Sequence, residues 1–205
     1  MKLRIASLII LLFALAAIPA IAQNAIYDNG PTNGQDLGWT INFGFAVSDQ
    51  FTLESASTVG SMNFAAWLFP GDTLETVDVS ITSDEFGGTS FFNQTVSFTA
   101  SGCSTNQYGY NVCTENGSIG ASLDAGSYWL NLQNAVVNNG DPAYWDMNSG
   151  PSLASESSIG TIPSESFTLY GHGTTPPPTT PEPSSILLLG SGLLGVAGVL
   201  RRKLF

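Results

Sequence analysis

The sequence predicts an all-β domain over residues 23–173, an antiparallel β-sandwich of jelly-roll-like topology. Three observations support this fold class. The segment is rich in glycine, serine, threonine, asparagine and aromatic residues, and it is poor in good helix formers. Short stretches alternate apolar and polar residues, which is the period of a strand with one buried face. Turn signals separate these stretches at roughly ten-residue spacing.

The alternation is clearest at 76–82, where Val77, Val79 and Ile81 face one side and polar residues face the other. All the predicted strands have such an alternation or a short apolar run, and they lie at 39–45, 62–69, 76–82, 96–100, 128–132, 135–137, 143–145 and 167–170. In the first of them, Phe43 is expected on the apolar face. About eight short strands of this kind favour a sandwich over a closed barrel.

Residues 1–22 have the three parts of a secretory signal peptide. Lys2 and Arg4 precede an apolar run at 5–18, and Ala20-Ile21-Ala22 forms a small-x-small cleavage site. The sequence therefore predicts export through the inner membrane. An uncleaved N-terminal anchor is the alternative.

A second apolar run, at 186–200, contains no charge and no proline. At ~1.5 Å per residue it covers roughly 22 Å, which is short of the ~30 Å hydrocarbon core of a bilayer. Two preceding serines lengthen the span, and the basic tail at 201–205 holds its end in the cytoplasm. A marginal transmembrane helix is thus predicted over 184–200, joined to the domain by a stiff Thr/Pro linker at 174–180. A plain single-pass anchor is the alternative.

The tripeptide Pro181-Glu182-Pro183 stands just before this run, and Arg201-Arg202 follows it. In order and spacing, residues 181–205 resemble the PEP-CTERM sorting signal of Gram-negative bacteria that make extracellular polysaccharide. The resemblance implies that an exosortase, a membrane transpeptidase, is the partner. Pro181, Glu182 and Pro183 would then be its recognition residues, and Arg201 and Arg202 the stop signal. It also implies transient membrane anchoring followed by delivery to the outer surface or extracellular matrix.

Charge is distributed very unevenly along the chain. The five Lys and Arg residues lie at positions 2, 4, 201, 202 and 203, whereas fifteen of the sixteen acidic residues lie between Asp28 and Glu165. Such a domain has no cation to displace the counterions of phosphate groups, so nucleic acid is excluded as a partner. Solubility outside the cell and attraction of divalent cations both remain as interpretations of this acidity.

Cys103 and Cys113 are predicted to form a disulfide across a hairpin or loop, because an exported chain with one close pair of cysteines is expected to oxidise. Metal binding is disfavoured since no histidine lies near them, and His172 is the one histidine in the sequence. A redox role would favour a Cys-x-x-Cys spacing, which is absent.

A carbohydrate-binding surface is one reading of the segment that holds Tyr144, Trp145, Asp146 and Asn148. Aromatic faces beside hydrogen-bonding groups are suited to stack on a sugar ring and to bind its hydroxyls. Neighbouring strand residues face opposite ways, so one of Tyr144 and Trp145 is expected to point outward. The alternative is that both pack in the core.

No cofactor is predicted, although Asp28 and Asp36 are candidate calcium ligands whose spacing fits no EF-hand loop. A simple turn is the alternative for both residues.

No catalytic residue is predicted either. The sequence lacks a G-x-S-x-G elbow, and the domain offers no Lys or Arg to assist a nucleophile. We therefore expect a non-catalytic structural or adhesive surface protein. The first alternative is a carbohydrate-binding module of the polysaccharide matrix. The second is a glycoside hydrolase using two carboxylates from Asp84, Glu85, Asp141 and Asp146.

Overall fold

Antiparallel strands make up most of residues 24–173, which are the residues that the computed structural model describes. They form one curled sheet, and no helix occurs in this part of the chain. The strands are β1 Asn24–Asp28, β2 Gly38–Thr40, β3 Ala46–Leu53, β4 Ser57–Leu68, β5 Leu74–Asp84, β6 Gly87–Thr105, β7 Asn111–Leu123, β8 Gly126–Val137, β9 Tyr144–Asp146, β10 Ala154–Glu156, β11 Gly160–Ile162 and β12 Phe167–Gly173. The predicted all-β class is confirmed.

Several predictions lie outside the described residues, namely the signal peptide, the linker, the sorting tail and the helix at 184–200. Residues 24–173 all belong to one compact unit. Within residues 24–173, none of the chain forms a helix with the length and hydropathy that a membrane span requires.

The order of strands along the sheet is β1-β12-β4-β7-β6-β5-β8-β3-β10-β11, and a β2-β9 pair joins it at β4. Strand β6 joins the two halves of the sheet because it is 19 residues long. Its first part pairs with β5 and its second part pairs with β7. The sheet curls along this order, so strands that are remote in the list come face to face.

One apolar core fills the space inside the curl. Phe51 of β3 packs against Phe167 of β12, with ring centroids 6.4 Å apart, although the two strands lie near opposite ends of the sheet order. Val77, Val79 and Ile81 are fully buried, as their alternation predicts. Burial of such side chains stabilises a domain by about 1.5–3 kcal/mol each.

The strand predicted at 39–45 is wrong in its second half. Strand β2 ends at Thr40, and the amide of Phe45 donates to the carbonyl of Asn42 across a turn. Phe43 adopts a φ of 56° and Gly44 a φ of 88°, so the chain reverses where the alternation suggests that it continues. Phe43 is consequently 63% exposed.

The register fixes which residues share an end of the sheet. Gly173, the last residue of β12, pairs with Ser57 at the start of β4. Trp67 and Leu68, at the other end of β4, pair with Val112 and Asn111 at the start of β7.

Candidate functional site

An open cleft of about 330 Å³ lies on the outer surface at this far end of β4. We call it the aromatic cleft, and its lining residues are Asp36, Leu37, Gly38, Trp67, Tyr108, Tyr110 and Tyr144. Its volume falls at the lower end of the range of small-ligand sites, about 300–1,000 Å³. Four aromatic rings therefore meet around one space that is large enough for a small ligand.

Strand pairing brings these rings together from distant parts of the sequence. Tyr144 of β9 is the register partner of Trp67 in β4. Tyr108 stacks on Trp67 with centroids 5.9 Å apart and an interplanar angle of 28°, and Tyr110 packs against the same indole. Tyr110 also meets Tyr144 edge to face at 5.6 Å. Each ring is thus held by at least one other.

The tip of the β6–β7 hairpin carries Tyr108 and Tyr110. Cys103 and Cys113 are register partners at its base and form the predicted disulfide, which is confirmed. Within the tip, Oδ1 of Asn106 accepts hydrogen bonds from the amides of both tyrosines at 3.0 Å. The hairpin tip is therefore fixed from within and stapled at its base.

Asp146 anchors the Trp67 indole from below. Its Oδ1 accepts the Trp67 Nε1 proton at 2.6 Å, and its two oxygens also accept the amides of Asn33 and Gly34 at 3.0 Å. Burial raises the pKa of Asp146, and these donors oppose that shift. The same carboxyl group fixes both the indole and the loop that forms one side of the cleft.

Gly38 is required for the close approach of β2 to β9. A Cβ atom at this position would lie 2.9 Å from the Cβ of Tyr144, closer than side chains pack. The absence of a side chain keeps the floor of the aromatic cleft open beside Tyr144.

The structure places one of the four residues predicted to contact a sugar in the cleft and the other three in the interior. Tyr144 is half-buried and lines the cleft, but Trp145 and Asp146 are wholly buried, and Asn148 is nearly so. Trp145 Nε1 donates to the carbonyl of Ser166, and Asn148 Nδ2 donates to the carbonyl of Asn29. Since β9 alternates in direction, Tyr144 faces out, and Trp145 enters the core.

Sequence reasoning missed Trp67, Tyr108 and Tyr110. Tyr108 and Tyr110 lie between the two cysteines, and aromatic residues at a stapled hairpin tip are the signal that could have been used. Trp67 has no comparable local signal, because its role depends on pairing with β7 and β9.

Sequence reasoning also missed two carboxyl groups inside the domain, Asp49 and Glu165. Together with Asp146 they form what we call the buried acidic cluster. Each is 0% exposed, and no Lys or Arg occurs among residues 24–173 to neutralise them. Neither Oε atom of Glu165 has a hydrogen-bond partner in the described part of the chain.

Burial raises the pKa of Glu165 well above its ordinary value, and the charges of Asp49 and Asp146 raise it further. Burial likewise raises the pKa of Asp49 to about 7, although its Oδ2 accepts the amide of Glu165 at 2.7 Å. These carboxyl groups are therefore held protonated under conditions in which an exposed acid is ionised.

The two calcium candidates lie on the surface and do not come together with other acids. Asp28 accepts the amide of Gly30, and Asp36 accepts the side-chain amide of Asn33. Among residues 24–173, no group of three or more His, Cys, Asp or Glu side chains is placed to hold a metal ion.

The four carboxylates considered for glycoside hydrolysis are scattered. Asp84 and Glu85 lie at the β5–β6 turn, where Glu85 accepts a hydrogen bond from Ser155. Asp141 borders a separate pocket beside Phe43. Asp146 is enclosed by its four donors.

Comparison with protein-family models identifies the C-terminal segment. Residues 179–203 match the PEP-CTERM protein-sorting motif. The suspected resemblance is thereby confirmed for this segment, which includes Pro181, Glu182, Pro183, Arg201 and Arg202. The PEP-CTERM motif implies processing by an exosortase, a membrane protein, and export with membrane-associated sorting to the cell surface. No curated protein matches the chain significantly.

Removal of the disulfide is expected to destabilise the domain that precedes the PEP-CTERM motif. Replacing Cys103 and Cys113 with serine removes a cross-link between residues with a sequence separation of 10. The unfolded chain then gains conformational entropy. The free energy of unfolding should fall by about 2–3 kcal/mol, as measured by urea denaturation. Adding a reductant should lower the free energy of unfolding of the wild type by a similar amount, and should leave that of the double variant unchanged. A wild-type midpoint insensitive to reductant would contradict this expectation.

Proposed function

We propose that this protein is a non-catalytic surface domain with a structural or adhesive role, delivered by an exosortase to the outer surface or the extracellular matrix. The match of residues 179–203 to the PEP-CTERM motif carries the proposal, since that motif implies exosortase sorting. Export through the inner membrane by a cleaved signal peptide at 1–22, and transient anchoring by a helix at 184–200, are parts of the same proposal.

We also propose that the curled sheet is a β-sandwich of jelly-roll-like type. The support comes from the contact of its two halves across one core. Tyr27 of β1 packs on Phe51 of β3, with centroids 5.7 Å apart, and Phe51 packs in turn on Phe167 of β12. Sandwiches of this kind present loops at their ends, where binding surfaces are commonly built.

The non-catalytic part of the proposal is supported by the placement of the acidic residues. A glycosidase needs two carboxyl groups on either side of one bond, within roughly 5–9.5 Å of each other and open to substrate. The buried acidic cluster is closed to solvent. Asp84 and Glu85 are exposed at the β5–β6 turn, whereas Asp141 is partly buried in a different loop. The aromatic cleft itself is lined by a single carboxylate, that of Asp36.

Sorting is tested by intact mass and cell fractionation of the protein expressed in its own host. Replacing Pro181, Glu182 and Pro183 with alanine should leave the tail uncut and the protein in the membrane, whereas the wild type should lose its tail and leave the membrane. A matched control replaces Pro176, Pro177 and Pro178, which lie outside the matched residues. Masses that show the same state of the tail, cut or uncut, and the same location for all three proteins would contradict exosortase sorting.

A further inference from the structure

We infer that the aromatic cleft binds a neutral polysaccharide, with a sugar ring stacked on Tyr108 and its hydroxyls directed at Asp36 and the tyrosine hydroxyls. This inference deepens the proposed adhesive role by naming the class of ligand. The inference rests on the proposed function only for the place where the protein encounters its ligand. The cleft itself is lined entirely by residues within 36–144.

Exposure of the ring of Tyr108 is the first argument. Tyr108 is 57% exposed at the hairpin tip even though one face stacks on Trp67. Leu37, which also lines the cleft, is 52% exposed. Two large apolar side chains that line one space are thus exposed to water. A ligand with an apolar face would cover both.

The mixture of groups in the cleft is the second argument. A pyranose ring has a face of C–H groups and an edge of hydroxyls, and aromatic faces attract polarised C–H groups. Tyrosine hydroxyls and the Asp36 carboxylate supply hydrogen-bonding groups around the rings. A purely apolar ligand would match only the rings, whereas a sugar matches both the rings and the polar groups.

Charge selects a neutral ligand. No Lys or Arg occurs among residues 24–173, and fifteen carboxyl groups do. A polymer of uronic acids or sulfated sugars would approach Asp36 with no cation to pair it, and the field of the domain would repel it. Uncharged hexose or pentose polymers meet no such barrier.

Rigidity of the ring platform is the final argument. The disulfide at Cys103–Cys113, the double acceptor at Asn106 and the Asp146–Trp67 hydrogen bond hold the rings before any ligand arrives. Preorganised aromatic side chains lose little conformational entropy on binding, so less of the interaction energy is spent on ordering them.

The test is native affinity electrophoresis of the full-length protein in gels containing a soluble cellulose ether, starch, galactomannan or polygalacturonate. The protein is solubilised in a detergent without a sugar headgroup, because a glycoside detergent would compete for the cleft. We expect retardation by at least one neutral polymer and none by polygalacturonate.

Variants assign that binding to the cleft. Tyr108→Ala should weaken the apparent affinity about tenfold, the equivalent of one lost aromatic stacking contact. Tyr108→Phe keeps the ring and should retain most of the affinity, which separates stacking from a folding defect. Phe43→Ala is the matched control, since Phe43 is 63% exposed and lies outside the cleft.

Three results would overturn the inference: no retardation by any neutral polymer, equal losses for Tyr108→Ala and Phe43→Ala, or equal retardation by polygalacturonate. The variant with alanines at 181–183 should bind like the wild type, because its cleft is intact. A failure of sorting and a failure of sugar binding are therefore separate results.

Discussion

Raising the pH from 5 to 8 is expected to lower the free energy of unfolding, by about 3 kcal/mol from Asp49 alone. In the unfolded chain a carboxyl group loses its proton near about pH 4, whereas burial raises the folded-state pKa of Asp49 to about 7. Folding therefore takes up a proton between these values. The resulting penalty is absent below about pH 4, grows with pH and is complete above the folded pKa.

Two further carboxyl groups add to this trend. Burial raises the pKa of Glu115 to about 7, and neither of its oxygens has a hydrogen-bond partner in the part of the chain that the structure describes. Glu165 is shifted in the same direction. The free energy of unfolding should thus be largest in mildly acidic solution, where the buried carboxyl groups keep their protons.

Urea denaturation at pH 5 and pH 8, at constant ionic strength, measures the effect. Glu165→Gln should reduce the fall in stability between the two values, since glutamine needs no proton to remain neutral. Glu75→Gln is the control, because Glu75 is exposed on β5 and its replacement should leave the slope as in the wild type. Stability that is constant or rises from pH 5 to pH 8 would show that these carboxyl groups are not buried as described.

Trp145→Ala is expected to lower the free energy of unfolding by about 3–5 kcal/mol, enough to unfold many domains. The indole is fully buried between Phe64 and Phe167, at centroid distances of 6.0 and 5.7 Å. Alanine leaves a large cavity and removes the hydrogen bond from Nε1 to the carbonyl of Ser166.

The neighbouring residue provides the comparison. Tyr144 faces the aromatic cleft, so Tyr144→Ala should cost only about 1 kcal/mol. Chemical denaturation of both variants distinguishes the two roles, and similar losses would mean that the outward and inward faces of β9 are wrongly assigned. A loss of sugar binding in Trp145→Ala would consequently report unfolding and not a missing contact.

The fold class was predictable because alternation is a local property. Val77, Val79 and Ile81 are buried in β5 as their spacing predicts. The same rule failed at Phe43, where alternation continues through a turn, and a positive φ at a non-glycine residue leaves no mark in the sequence. The predicted strands also omit β1, β3, β7, β10 and β11, and the two strands predicted at 128–132 and 135–137 form one continuous strand, β8.

The buried acids carried a signal that was overlooked. Asp49 lies in an alternating apolar row with Val47 and Phe51, and Glu165 is two residues before Phe167. Period two places these carboxyl groups on the core face. The aromatic cleft had no equivalent signal. Trp67, Tyr108 and Tyr144 are far apart in the chain, and only the pairing of β4 with β7 and β9 makes them neighbours.

The pairing of β12 with β4 has a mechanical consequence. The chain leaves β12 beside Ser57, whereas the cleft lies at Trp67, and ten residues of strand between them span about 33 Å. A polymer held in the cleft and a tether beyond Gly173 would thus pull on opposite ends of neighbouring antiparallel strands. Such tension runs along the strands, so the hydrogen bonds between Phe167–Gly173 and β4 share the load instead of opening one at a time. Under the load that the proposed adhesive role implies, β12 and β4 would therefore be pulled in shear.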